Sequence, residues 1–347
     1  MRIADILNGF QSCGAFEWAT FAYMGWLNLI VLLCHRNIPH AAIYVAVHLA
    51  MCGCILGLAA LAARSRSETV RFIRHWYPLP LYIFFFEELG SFVHAIFPRW
   101  FDRWLVAFDY RLAGTHPSVW LAQFSSPALN DYMQFGYMTY FLYLVILPAI
   151  LYARREEAAF WTVMLSTAIA NYSIYAIAVL FPIESPYYSL AALEGKALPG
   201  GFCTALIGLI ERFARVHGAA FPSAHVAGSM VAMLASWRYR RWLFWLCLPL
   251  FISMCVATVY GRYHYVADVL AGLIVGAIGF AIGARFRSKT ARAEAINERI
   301  ANLDRLYARP GAESASIGVA IVPVSRLFVG KSDREQARFA PLRADQL

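Results

Sequence analysis

Eight stretches of this chain run apolar for fifteen to twenty-four residues each, at about 16–34, 40–63, 76–95, 133–153, 159–181, 222–236, 242–260 and 265–284. A bilayer core of about 30 Å takes roughly 20 helical residues at about 1.5 Å each. Lipid offers no partner for backbone N–H and C=O groups, so each run is expected as a closed helix. The expected fold class is all-α: a polytopic membrane protein with about eight transmembrane helices. The short run 222–236 and the aromatic run 76–95 fit that rule least well. Composition agrees. Of 347 residues 60% are hydrophobic and 15% charged, with a mean hydropathy of +0.54, against roughly 45–50% apolar in soluble domains. A disordered chain, a cytosolic enzyme and a disulfide scaffold are thereby excluded.

Charge decides which way the helices run. The net charge is +9, but the arginines sit in short clusters between apolar runs, as topology signals do, and no nucleic-acid partner is expected. Arg64, Arg66, Arg71 and Arg74 follow the second run; Arg154 and Arg155 follow the fourth. Arg238, Arg240 and Arg241 follow the sixth, and Arg285, Arg287, Lys289 and Arg292 the eighth. All four clusters follow even-numbered runs, so they share one side, which the positive-inside rule makes cytoplasmic. Both termini are expected there, with 96–132 and 182–221 outside. Residues 1–15 do not read as a cleavable signal. The aromatic stretch 96–132 fits a helix lying on the outer surface. The tail begins as a charged helix, Ala291 to Ala308, and stops at Pro310–Gly311; beyond it 312–326 is expected as a short β segment or as no element. The seven cysteines are scattered, and Cys52 and Cys54 have the wrong spacing for a redox pair.

Two segments carry the chemistry, 221-FPSAHVAGS-229 and 260-YGRYHYVADVLAG-272. His225 opens the sixth run, the chain descends to the Arg238–Arg241 turn, and the seventh run climbs back to about Tyr260. His264 and Asp268 then open the eighth, so two histidines 39 residues apart are expected at one level of the outer face. His264 and Asp268 are i,i+4 on one helix face. An aspartate there accepts the proton of one ring nitrogen and leaves the other as a nucleophile. Arg262 offers planar donors to a phosphate. Pro222 and Ser223 set a helix start whose free N–H groups suit an anion, with Ser223 a further donor. His225 is placed to protonate a leaving oxygen. Taken singly, the histidines read as surface filler, Ser223 as a helix cap and Arg262 as a headgroup anchor. Asp268 has no such plain reading, because a carboxylate four residues into an apolar helix needs a partner. The conjunction of PSxH and RxHxxxD, joined by one returning hairpin, points to phosphoryl transfer.

These segments resemble the second and third signature motifs of the type 2 phosphatidic acid phosphatase (PAP2) superfamily. The spelling PSAH followed by TVYGRYHYVADVLAG is similar to the inositol phosphorylceramide synthase-like (aureobasidin-resistance-like) branch and its bacterial members. The resemblance implies a six-helix catalytic core over 76–284, two added transmembrane helices in 1–75 and a cytoplasmic tail over 285–347. It implies His264 as the nucleophile that forms a phosphohistidine, Asp268 as its orienter and His225 as the general acid, with Ser223 and Arg262 on the phosphate. The commonest third motif has arginine six residues before the nucleophile, where this chain has Thr258. The first motif, a lysine and an Arg–Pro, is absent in its ordinary spelling. Its nearest counterpart is 181-FPIESPYY-188, with Tyr187 where relatives often carry arginine. Arg212, Arg215 or Lys196 of the outer loop is expected to meet the phosphate charge instead, the two arginines from a short helix over 203–216.

Glu87 and Glu88 follow three phenylalanines in the third run, where an unpaired carboxylate is costly. They are expected either to pair with a histidine such as His94 or an outer arginine, or to orient an acceptor hydroxyl. With Tyr187, Tyr188, Asn171 and Tyr175 they are candidates for the substrate cavity. The stretch 109-DYRLAGTHPSVW-120 also resembles the branch. No HExxH, DxD or closed Cys/His set is present, so neither metal nor other cofactor is expected. The expected partners are a membrane lipid substrate and a polyol or lipid-alcohol acceptor. The expected activity is transfer of a phospho-headgroup to an alcohol such as inositol or a ceramide-type lipid. Water as acceptor would instead make a phosphatase of phosphatidate or a polyprenyl pyrophosphate, and a non-catalytic transporter or scaffold is the third reading. The resemblance implies a bacterial inner membrane with the active site on the periplasmic face.

Overall fold

Helices account for every apolar run, but the runs are not equally long. A computed structural model describes residues 9–194, 199–214 and 216–307. Its elements are α1 (Ala15–Cys34), α2 (Ala41–Arg64), α3 (Glu68–Trp76), α4 (Pro78–Phe92), α5 (Asp102–Ala113), α6 (Pro117–Ala122) and α7 (Pro127–Ala153). There follow α8 (Glu157–Leu180), α9 (Pro186–Ser189), α10 (Ala191–Glu194), α11 (Phe202–Ala214), α12 (Ala224–Tyr239), α13 (Arg241–Tyr260) and α14 (Val266–Tyr307). The chain divides into Met1–Arg292 and Ala293–Leu347. Of the second unit, residues 293–307 are helical; the expected stop at Pro310 and the segment 312–326 lie outside the described residues.

Among the described residues six helices are long and apolar enough to cross a membrane: Ala15–Asn37, Ala41–Arg64, Pro127–Ala153, Glu157–Leu180, Arg241–Tyr260 and Val266–Phe286. The runs expected at 76–95 and 222–236 form helices of 15 and 16 residues, roughly 22–24 Å long at about 1.5 Å per residue. For α12 the reason is its place. It packs against α7, α8 and α13 and buries Val226, Ala227, Ser229, Val231, Ala232, Met233 and Ala235. A helix so enclosed meets protein rather than lipid, and its length need not match the bilayer. The fourth run starts earlier than expected, at Pro127, because Ser126 Oγ accepts the Leu129 N–H at 3.3 Å and proline suits the first helical position.

Polarity is arranged inside out. Glu88, His48, Asn171 and Asp268 are buried, while Leu33 and Leu246 are 71% and 64% exposed, as expected when the surrounding solvent is hydrocarbon. α14 closes on its neighbours through four glycines. A Cβ on Gly272 or Gly276 would stand 2.7 Å from the Ser223 carbonyl oxygen or 2.5 Å from that of Ala227. Gly279 and Gly283 meet Ser166 and Ala170 of α8 in the same way. Small residues four apart let backbones approach where the hydrophobic effect gives no drive between helices.

The arginines converge on one end of the bundle. Arg71 Nε and Nη2 both donate to Glu157 Oε1, at 3.0 and 2.8 Å, and His75 meets the same carboxylate. Arg155 donates to Glu68 at 2.8 Å, Arg240 to Glu156, and Arg74 lies 2.5 Å from Glu17. The clusters after the second and fourth runs share Glu68, and the one after the sixth pairs with the neighbouring Glu156, which ties α1, α3, α8 and the α12–α13 turn together at this end.

Candidate active site

The two motif segments are joined through their backbones. Ser223 has extended backbone and caps α12, its Oγ accepting the Val226 N–H at 3.3 Å. Its own N–H donates to the Asp268 carbonyl at 3.1 Å. α13 ends where the Thr258 carbonyl accepts the N–H groups of Tyr263 and His264, both at 3.0 Å. Between them Arg262 takes the left-handed region, φ +66°, a conformation that costs a non-glycine residue of order 1 kcal/mol or more and collects at functional sites. Its carbonyl accepts the Tyr187 N–H at 3.1 Å. Residue 185, three positions after Pro182, is also left-handed, φ +124°.

His264 is held by one nitrogen. Its Nδ1–H lies 2.8 Å from the Ala220 carbonyl and 3.3 Å from Asp268 Oδ2. Two acceptors at one ring nitrogen place the proton there and leave the Nε2 lone pair open. Asp268 Oδ2 also accepts the Tyr265 N–H at 2.8 Å, so the carboxylate, fully buried, is fixed from two sides. The His225 ring sits 5.9 Å from that of His264, between Tyr137 at 4.6 Å and Tyr140 at 4.5 Å, centroid to centroid. Tyr263 stacks on Tyr137 at 4.4 Å and donates to Gln134 at 3.0 Å.

Both histidines line a cavity of about 420 Å³, within the range of small-molecule sites. Its apolar wall comes from α4 and α7, with Ile83, Phe86, Phe141 and Leu144, and its rim carries Glu87, Glu184, Ser185, Tyr188 and Glu211. Glu184 is paired with His217 at 2.9 Å. No lysine or arginine is among the lining residues described.

The structure brings His225, His264, Glu87, Tyr175 and Tyr188 to this cavity. Ser223, Asp268 and Arg262 are buried beside it, and none of the three lines it. Four expectations are corrected. Glu88 lies off the cavity and is paired with a histidine, as one reading expected, but with His48 of α2 in place of His94: its Oε1 is 2.8 Å from His48 Nε2, while His48 Nδ1 meets Asn28 at 2.8 Å. Asn171 is wholly buried and does not reach the cavity; Tyr175, one turn on, does. Tyr187 is exposed and off the cavity lining; its N–H donates to the Arg262 carbonyl, and its ring lies 5.0 Å from that of Tyr188. Arg212 is exposed on α11, whose cavity-facing residues are Ile207, Ile210 and Glu211. Arg215 and Lys196 lie outside the described residues.

Two aspartates of α5 hold the platform, and sequence reasoning missed how. Asp109 accepts the N–H groups of Val266 and Ala267, at 2.8 and 3.1 Å, and so caps α14. Asp102 accepts the N–H groups of Glu184 and Ser185, at 2.9 and 3.2 Å, and the Tyr265 hydroxyl at 2.8 Å. Burial pushes the Asp109 carboxyl up against the pull of its two N–H donors. Burial, then the Asp102 charge, pushes the Tyr265 phenol up, so it stays a donor. Tyr137, Tyr140, Glu184 and Glu211 were also missed; the only trace was the i,i+3 spacing of the two tyrosines.

The fold is a helical membrane bundle that brings two histidines to one cavity, with Asp268 buried behind the second. Residues 103–282, just over half of the chain, match the PAP2 superfamily, and the chain belongs to it. Members of that superfamily are phosphoryl-transfer and hydrolase enzymes. A PA-phosphatase related-family protein of Dictyostelium discoideum is 31% identical over 106 residues, 29% of this chain and 19% of the relative. The chain thus spans about a fifth of that relative's length. No solved structure matches it.

Proposed function

We propose that this protein transfers a phospho-headgroup from a membrane lipid to an alcohol, as in the inositol phosphorylceramide synthase-like branch. The observation that carries the reading is the cavity's lining: two histidines, three carboxylates and, among the described residues, no lysine or arginine. Carboxylates accept hydrogen bonds from hydroxyls, which suits a polyol or a lipid alcohol. They disfavour a phosphomonoester or pyrophosphate dianion, since like charges a few ångström apart repel by several kcal/mol near a protein surface. In the first step His264 Nε2 attacks phosphorus; the P–O bond to the leaving group breaks, and that oxygen takes a proton from His225. In the second, the acceptor hydroxyl gives its proton to His225 and attacks phosphorus, and the P–N bond breaks. Asp268 and the Ala220 carbonyl hold the Nδ1–H throughout, while Arg262 and the α12 N-terminus, buried beside the cavity and off its lining, act on the charge at phosphorus from behind that wall.

The proposed organisation is an added helix pair in 1–75, a core over 76–284 and a tail from 285. The proposed orientation sets the arginine end in the cytoplasm and the cavity outside, as in a bacterial inner membrane. The decisive experiment incubates purified protein with lipid donors, with and without inositol, other polyols or ceramide, and follows products by mass spectrometry. Product that appears only with an alcohol supports the transferase. Free phosphate or headgroup released from lipid with no alcohol present assigns water as acceptor, the reading favoured by the phosphatase-related name of the Dictyostelium relative.

A further inference from the structure

A second concavity lies outside the catalytic cavity, and its walls are chemically unlike it. α5 presents three stripes. Asp102, Leu105 and Asp109 are buried on the motif loops; Trp104, Phe108 and Leu112 are exposed and apolar. The third stripe, Arg103, Ala107 and Arg111, lines a cleft of about 550 Å³ with Tyr110, His116 and Ser189. The two arginines stand eight residues apart, roughly 12 Å of helix, within reach of two long side chains converging over the small Ala107. Neither makes an ion pair among the described residues, although Arg103 lies over the Trp104 ring at 5.4 Å. The one carboxylate in the cleft wall, Asp102, is already engaged by the Glu184 and Ser185 N–H groups and the Tyr265 hydroxyl. His116 Nδ1 is buried and has no hydrogen-bond partner among the described residues, a condition that a ligand would relieve.

We infer that this cleft is a binding site for a phosphate-ester anion, supplied by the headgroup of a membrane lipid. Arginine is the side chain best matched to phosphate oxygens, through its planar set of donors. The apolar stripe beside the basic one decides the source: Trp104, Phe108 and Leu112 set α5 into the membrane interface, at headgroup depth. The volume exceeds what inorganic phosphate fills and suits a headgroup. The cleft also abuts the catalytic platform, because Ser189 hydrogen-bonds Tyr265, the residue after His264.

The inference does not depend on the proposed chemistry, so it is tested in a His264→Ala background, where turnover cannot consume the ligand. Delipidated protein in detergent is titrated with phosphatidylglycerol, phosphatidylcholine or inorganic phosphate, and bound species are counted by native mass spectrometry. Phosphatidylglycerol is expected to bind in preference to phosphatidylcholine. Removing both arginines in Arg103→Gln/Arg111→Gln should weaken it roughly tenfold or more, since charge-assisted hydrogen bonds to phosphate are among the stronger ones. Ala107→Leu, which fills the floor and leaves the charge alone, should weaken it as well. Arg99→Gln removes one exposed charge of the same outer segment away from the cleft and should leave binding unchanged. Equal binding by the double-arginine variant, or equal loss in Arg99→Gln, overturns the site. Arginine-dependent binding of inorganic phosphate without lipid binding overturns the lipid source.

Discussion

With its Nδ1–H shared between Ala220 and Asp268, His264 has one nitrogen left for chemistry, and on the proposed route the phospho-enzyme carries phosphorus on Nε2. His264→Ala should form none. His225→Ala should slow turnover by ~10²–10⁴ with an alkoxide leaving group, the usual range for general acid catalysis. With a nitrophenyl phosphoester that needs no proton it should still accumulate acid-labile phosphate, measured on enzyme quenched during turnover. Trapping on His264→Ala, or equal trapping in both variants, reverses the roles. Asp102→Asn tests the platform instead. An amide cannot accept from two backbone N–H groups and a phenol as a carboxylate does, so a loss of about 1–3 kcal/mol is expected, read as a lower melting temperature. The meeting of residues 225 and 264 was legible in the sequence, because one hairpin of known length returns the chain to its starting level. The partners were not. Glu88 and His48 lie in different apolar runs 40 positions apart, and nothing local says which side of either run turns to the other. Tyr137, Tyr140 and Glu211 reach the cavity through the rotation of α7 and α11 about their axes, which an almost uniformly apolar stretch does not record.

At the scale of elements, the approach of α14 to α12 and α8 is set by backbone contact. Gly276→Ala puts a methyl 2.5 Å from the Ala227 carbonyl oxygen and should destabilise by about 1–3 kcal/mol, the range for overpacking. Gly53→Ala, on α2 with nothing within 4 Å of the new Cβ, should be neutral or stabilise by about 0.5–1 kcal/mol. Melting temperatures of the two purified variants make the comparison; equal behaviour would mean that α14 packs elsewhere. Helix existence was written in hydropathy, and helix length was not. α4 and α12 fall short of span length because apolarity marks burial as readily as it marks lipid. α5 carried a clearer message than its resemblance alone gave, since 102, 105 and 109 fall on one helical face.

For the molecule as a whole, the gathering of the arginine clusters at one end predicts one orientation. Cysteines introduced at Ala192 and Arg292, on a background without native cysteines, should label oppositely with an impermeant thiol reagent, Ala192→Cys from outside. The reverse pattern inverts the proposed topology. Among the described residues no three His, Cys, Asp or Glu side chains are grouped to hold a metal, and activity is expected to survive EDTA; loss restored by Mg²⁺ would remove the phosphohistidine route from first place. The arginines on which the proposed orientation rests also hold the bundle together. Arg71 uses a two-pronged grip on Glu157 and lies over the Tyr152 ring at 4.3 Å, whereas insertion reads nothing but its charge. On the proposed topology two moments in the protein's life, threading into the bilayer and locking once there, draw on different properties of one side chain. Arg71→Lys should separate them: the chain should thread the same way round and then come apart at a lower temperature.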